Sequence, residues 1–352
     1  MKPRTSPTEW SEIMAAKQPT PMTIAEEFAA KVRRDGQRER VMRYAPMIVL
    51  LALVLIFTAA RGAAFASFTN MVAILNQLAI PLLVALGLTF VIMIGGIDLS
   101  INGTVGMAAA LVGVLVMNNR FPLNLGFLGV LLAVLGSVLV GLAVGLIHVY
   151  LKIPSFMVSF AFMYVCKGLG LLSYAGQPPK IIDPLLVALP KTYWLGIPFI
   201  TWVAVAVLLV CIFIQEYTAF GRYIYAVGTD ETILRAVGVS VNRVKVMVFT
   251  LAGLCFGIAG VLYGIRLGQG DVTAGNDLMF PAQAAVVVGG TSLSGGKGGV
   301  TNTIVGVLIM TVLANGLLLV GVNSYIKTGI EGLIILTAVA LTVAHGAKVV
   351  SK

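Results

Sequence analysis

The sequence predicts an all-α polytopic membrane protein of about ten transmembrane helices, with broken helices and an internal repeat. Three observations carry that prediction. Of the 352 residues 59% are hydrophobic and only 11% charged, and the mean hydropathy of +0.99 lies far outside the range of soluble domains. Apolar runs close to the roughly 20 residues needed to cross a hydrocarbon core recur along the chain. Two of these runs end in one pattern, Gly-Gly-x-x-Leu-Ser followed by further glycine: Gly95-Gly96-Ile97-Asp98-Leu99-Ser100 and Gly289-Gly290-Thr291-Ser292-Leu293-Ser294. Irregular backbone at membrane depth is tolerated only where protein or a water-filled cavity satisfies its N–H and C=O groups. Paired breaks therefore point to a path between repeats.

Residues 1–43 are polar, carry charges of both signs and several prolines, and read as a weakly ordered or surface-helical cytoplasmic extension. The segment lacks the compact charged head and small-residue cleavage site of a signal peptide. The transmembrane domain, 44–346, divides into spans at 45–63, 71–94, 99–117, 124–148, 154–173, 198–215, 245–266, 279–290, 302–321 and 325–345. The eighth is the shortest, because Pro281 and the glycines interrupt it. A transmembrane β-barrel would show alternating ten-residue segments instead. Residues 347–352 form a short cytoplasmic tail.

The net charge of +10 follows a membrane topology rather than a nucleic-acid surface. Lys31, Arg33, Arg34, Arg38, Arg40 and Arg43 crowd the first span, and Lys152, Arg222, Arg235, Arg243, Lys245, Lys297, Lys348 and Lys352 fall in alternate loops. By the positive-inside rule those loops and both termini are cytoplasmic. Arg61, Arg120, Lys180, Lys191 and Arg266 fall on the other side. Cys166, Cys211 and Cys255 match no metal or CxxC spacing and read as packing residues.

The long connection 216–245 is the most structured of the predicted loops. Thr229 can cap a short helix, Asp230 and Glu231 fit its positive N-terminus, Glu231 and Arg235 are spaced i, i+4, and Gly238 can end it. Such a helix would lie at the cytoplasmic face with Ile233, Leu234, Ala236 and Val237 available to a partner, or rest on lipid. The outward segment from Ala175 to Pro198 carries Pro178, Pro179, Pro184 and Pro190, with Tyr193 and Trp194 suited to the membrane boundary. It reads equally as a docking cap or a connector.

No catalytic constellation is present. Gly295-Gly296-Lys297 superficially suggests a phosphate loop, but the Walker pattern would need Gly at 291 and Ser or Thr at 298, where the chain has Thr291 and Gly298. No soluble segment approaches the size of a nucleotide-binding domain, so no cofactor is expected on this chain. His148 and His345 have no accompanying carboxylates. Asp98 sits beside a glycine break and caps the third helix near Asn102 or contacts substrate directly. Lys167, near the outer end of the fifth span, snorkels to the interface or meets a buried acid. Lys327 and Glu331 are i, i+4 in the last span. Asn76, Gln77, Asn102, Thr104, Gln283, Thr291, Ser292, Ser294, Asn302 and Asn315 are the polar residues able to line a path, although most such residues bond neighbouring helices.

On its two glycine motifs and the stretch from Phe220-Gly221-Arg222 through Ala236-Val237-Gly238-Val239, the chain resembles the inner-membrane permeases of bacterial ABC importers for monosaccharides, the ribose, galactose, xylose and autoinducer-2 type. The resemblance runs from about residue 45 to the C-terminus. Leu278-Met279-Phe280-Pro281 departs from the Tyr-Glu-Leu-Asp usual before the second motif, and Glu331 stands where a lysine is common. The resemblance implies a vitamin B12 importer-like fold in the inner membrane. It also implies separate ABC ATPase subunits, a periplasmic or lipid-anchored substrate-binding protein, and a second permease copy as homodimer or heterodimer. The ATPase-coupling residues would be Arg222, Thr229, Asp230, Glu231, Leu234, Arg235 and Gly238. The gate and path would be lined by Gly95, Gly96, Asp98, Ser100, Asn102, Gly289, Gly290, Thr291, Ser292 and Ser294. The competing class is an ion-coupled secondary transporter working through Asp98, Lys327 or Glu331; its architecture would be similar, but it has no need of a docking helix.

Overall fold

The computed structural model describes residues 44–323, 325–330, 332–334, 336 and 337. The extension 1–43, Glu331 and the tail 347–352 lie outside the described residues. The described residues from Pro46 onward form one compact unit.

The main helices are α1 (Tyr44–Arg61), α2 (Phe68–Met93), α3 (Ile101–Leu115), α4 (Phe127–Tyr150), α5 (Ser155–Tyr174), α6 (Phe199–Tyr217), α7 (Ala219–Thr229), α8 (Glu231–Ala236), α9 (Val241–Leu267), α10 (Met279–Val288) and α11 (Val300–Val320). Seven of them, α1, α2, α4, α5, α6, α9 and α11, are long and apolar enough to cross a membrane. Two of the ten expected spans are shorter than drawn: 99–117 contains the 15-residue α3 and 279–290 the 10-residue α10. Glycine breaks truncate both. The last expected span is helical over the described residues 325–330.

A long helix, an irregular stretch and a short helix occur in that order twice. The 26-residue α2 leads through 94–100 into α3, and the 27-residue α9 leads through 268–278 into α10. The short helix α3 is the most enclosed element, with Ile101 to Ala110 all buried. It runs between α5 and α9, and the turn Val272–Gly275 reaches its N-terminal half: Gly106 lies against the Val272 backbone and Gly275 against that of Asn102.

Small residues set the packing. Ser137, Gly141 and Gly145 on α4 face Gly253, Gly257 and Val246 on α9, and a Cβ on Gly253 would collide with the Ser137 carbonyl and press on Gly141. Lipid tails supply no hydrophobic drive between helices, so close backbone approach and the dispersion contacts it permits hold such pairs together. Leucines at 131, 135 and 139 on the far side of α4 are exposed, as a lipid-facing surface requires.

Outside the helical bundle, residues 177–182 are tied on two sides: Ile182 N–H donates to Met117 at the end of α3, and Ile181 N–H to Gly268 at the end of α9. Asp183 caps the short helix Pro184–Ala188 by accepting from Leu185 N–H at 3.0 Å. Strands β1 (Tyr193–Trp194) and β2 (Ile197–Pro198) then form a two-stranded hairpin, with Trp202 Nε1 donating to the Trp194 carbonyl. The segment is thus folded and tied to the ends of α3 and α9.

Gly253→Leu should destabilise the protein by about 1–3 kcal/mol or more through forced separation of α4 and α9. Gly168→Ala, whose Cβ would meet nothing within 4 Å, should be neutral or stabilising by up to ~1 kcal/mol. Thermal unfolding of the purified protein in detergent checks both.

Candidate functional site

The first break begins where Gly95, at φ +74°, turns the chain out of α2 in a conformation that non-glycine residues resist. Gly95 N–H donates to Ile92 O at 2.8 Å and Gly96 N–H to Val91 O at 2.9 Å, closing the helix end. The extended stretch that follows is held from α5. Ile97 N–H donates to Ser155 Oγ at 3.0 Å and Leu99 N–H to Ser159 Oγ at 2.9 Å. Asp98 is buried, and its Oδ1 accepts from Ser100 N–H at 2.8 Å. Its role differs from the expected cap near Asn102: the carboxylate fixes the turn before α3, and Ser100 occupies the cap position without a side-chain bond to the helix. Asn102 is buried one residue inside α3, and its Oδ1 has no hydrogen-bond partner.

At the second break, Gly290 N–H donates to Val287 O and Thr291 N–H to Val286 O, ending α10. Residues 291–299 then fold into a compact turn. Ser292 N–H donates to Lys297 O at 3.1 Å, Ser292 Oγ accepts from Ser294 N–H at 3.3 Å, and Thr291 Oγ1 accepts from Gly299 N–H at 3.2 Å. Gly289 packs on the Asn302 backbone of α11, and Ser294 is exposed. The first N–H of α11, Val300, is taken by the buried Gln215 Oε1 at 2.6 Å. Gln215 Nε2 in turn donates to Glu216.

The expected short helix is present as α8, and a further helix, α7, precedes it. Thr218 caps α7 by accepting from Gly221 N–H, and Gly221, Ile224 and Val227 form its buried face while Arg222 points outward. Thr229 does not cap the second helix; it closes α7, its hydroxyl donating to Tyr225 O. Asp230 is the cap of α8, accepting from Thr232 N–H at 2.8 Å and from its hydroxyl at 2.7 Å. Those bonds hold its carboxyl below the usual carboxylate value. Burial raises Glu231, but hydrogen bonds and charge from Lys245 and Arg235 outweigh it and leave the group lowered. Gly238, at φ +78°, ends α8 as expected. Ile233, Ala236 and Val237 are exposed, whereas Leu234 is buried and anchors the helix to the core.

These three regions meet at one junction. Gly296 N–H, in the second break, donates at 2.9 Å to the carbonyl of Met93, which ends α2 at the first. Gly228, near the end of α7, is wedged there: a Cβ on it would collide with both Met93 O and Gly296 N. Tyr225 Oη adds a bond at 2.8 Å to the Gly298 carbonyl. Its hydroxyl is pushed up by burial and then by the Glu216 carboxylate, so it remains a donor. The α7 backbone is thus in direct contact with both breaks. The backbone donors of the breaks are taken largely by protein.

Sequence reasoning missed Ser155, Ser159, Gln215, Tyr225 and Gly228. The two serines, i, i+4 at the start of an apolar helix, and Gln215 at the end of another are the signals that point to them. Lys167 meets an amide rather than an acid, its ammonium donating to Asn276 Oδ1 at 2.9 Å. All three cysteines are buried and free.

The profile of the family described as branched-chain amino acid transport system / permease component matches residues 70–339. The ribose import permease of Bacillus subtilis (strain 168) is 34% identical over 313 residues, covering 88% of this chain and 95% of that protein. The fructose import permease of Rhizobium meliloti is 32% identical over 84% of each chain. The xylose transport system permease of Escherichia coli (strain K12) is 30% identical over 82% of this chain and 88% of its own. The comparison with solved structures finds no match. Two Gly-Gly-x-x-Leu-Ser breaks with the short helix α7 packed against both are carried on a chain that belongs to the branched-chain amino acid transport system / permease component family of membrane permeases.

Proposed function

We propose that this chain is the membrane-spanning permease subunit of an ATP-driven ABC importer that carries a monosaccharide or similar small polar solute across the bacterial inner membrane. The observation that carries the reading is the junction of Met93, Gly228 and Gly296, which couples α7 and α8 to both helix breaks. The family's description names branched-chain amino acids, whereas the ribose, fructose and xylose permeases align over four fifths or more of this chain. The breadth of that likeness favours a sugar.

In this reading α3, α10 and the helix beginning at 325 complete ten membrane segments, with both termini cytoplasmic and a vitamin B12 importer-like arrangement. Two permease copies line the path, a substrate-binding protein docks on the cap 177–198, and ATPase subunits dock on α7 and α8. Ile233, Ala236 and Val237 supply an exposed apolar strip for that contact; the Glu231–Lys245 bond ties α8 to α9, and the Glu231–Arg235 bond stiffens α8 itself. Closure of the ATPases moves this strip; Gly228 passes the movement to the ends of α2 and α10. The permease forms no covalent bond with its cargo.

Reconstituted with its ATPase and binding protein, the complex should accumulate sugar on ATP after the ion gradient is collapsed. Uptake that follows the gradient and ignores ATP would refute the proposal. Replacing Glu231 and Arg235 together with Ala should leave ATP hydrolysis running while uptake falls at least ~10-fold, a loss of coupling worth about 1.4 kcal/mol or more. Gly228→Val should abolish uptake without preventing assembly, measured by co-purification of the ATPase.

A further inference from the structure

The irregular stretch after α9 descends far into the bundle. Gly103 of α3 packs against the backbone of Met163, the ninth residue of the 20-residue α5, so the start of α3 lies near half the height of that helix. Gly275 packs against Asn102 at the same level. Asn276 and Asp277, both exposed, therefore stand near mid-membrane, and Lys167 lies one turn, roughly 6 Å, from Met163 along α5. Its ammonium bonds Asn276 Oδ1, and it makes no ion pair with any described carboxylate.

A half-buried ammonium beside an exposed carboxamide and an exposed carboxylate at this depth is costly against hydrocarbon. The packing explains none of them. Asp271 already fixes the turn Val272–Gly275 by accepting from Thr273 N–H at 2.8 Å, and the glycines fix its approach to α3. Two exposed rings are near it along the chain: Tyr164, three residues before Lys167 on the same helix face, and Phe280 in the first turn of α10, three residues after Asp277. The buried Asn102 Oδ1, without a partner, lies at the same level.

Resting on the transport function proposed above, we infer that Lys167, Asn276 and Asp277, with Tyr164 and Phe280, form the solute-contact surface of the path at mid-membrane. The cluster offers donors from the ammonium and carboxamide and acceptors from the carboxylate, with no large excess of charge. The rings offer flat apolar faces. That combination fits a neutral polyhydroxylated solute, which presents hydroxyls at its rim and C–H groups on its faces, better than an ion. It lies next to the start of α3, just past the first glycine break, where Gly275 packs on the Asn102 backbone.

Because the native cysteines are buried, single cysteines report accessibility cleanly. In the reconstituted complex, Asn276→Cys and Asp277→Cys should react with a charged methanethiosulfonate reagent at least ~10-fold faster than Leu139→Cys on the apolar face of α4. Their rates should change between nucleotide-free and ATP-bound states. Lys167→Met should lower sugar uptake at least ~10-fold while ATPase activity stimulated by the binding protein persists, and Lys167→Arg should restore part of it. Equal, slow labelling at all three positions, or uptake within twofold of the unsubstituted complex for Lys167→Met, would overturn the inference. Failure of the unsubstituted complex to import sugar on ATP would instead count against the function itself, and the labelling would still decide whether this surface meets water.

Discussion

Backbone polar groups have no water to bond in hydrocarbon, and each must find a partner in protein. Most features of this chain follow from that constraint. Where a helix runs unbroken the pairing is internal, and the seven long helices need only an apolar exterior. Where a helix is broken the freed N–H groups need other acceptors; many lie in the adjoining turn, and four come from far away in sequence. Ser155 and Ser159 serve the first break, and Met93 and Gln215 the second.

That borrowing of partners ties the breaks to moving parts. A break satisfied by its own flanks would be an isolated kink. Here the Met93 carbonyl at the first break binds Gly296 N–H at the second, and Gly228 leaves no room for either to shift without α7. Two breaks and α7 are thereby packed into one junction. The same close contact recurs between α4 and α9, where Ser137, Gly141 and Gly253 let backbones touch. Rigid pairs and bonded joints together permit tilting of whole helices, as alternating access requires.

Several elements are legible in the amino-acid sequence. Hydropathy locates the long helices to within a few residues, because roughly 20 apolar residues have few other uses. Gly238 ends α8 as expected, since its φ of +78° suits glycine. Other expectations fail for a local reason. Thr229 and Asp230 both suit a cap; the carboxylate takes α8, leaving Thr229 to close α7. The expected cap of Asp98 near Asn102 falls too far along the chain, because nothing in the sequence says that α3 starts at Ile101.

The sequence by itself determined the class of protein, the approximate spans and the places where helices stop, since apolar length and glycine act locally. Only the tertiary structure decided that residues 93, 228 and 296 share one junction, that Gln215 starts α11, and that Asn276 lies at the depth of Asn102. Each of these depends on hydrogen bonds or van der Waals contact between segments tens to hundreds of residues apart. A periodic pattern records which face of a helix is buried, but not which distant backbone lies against it.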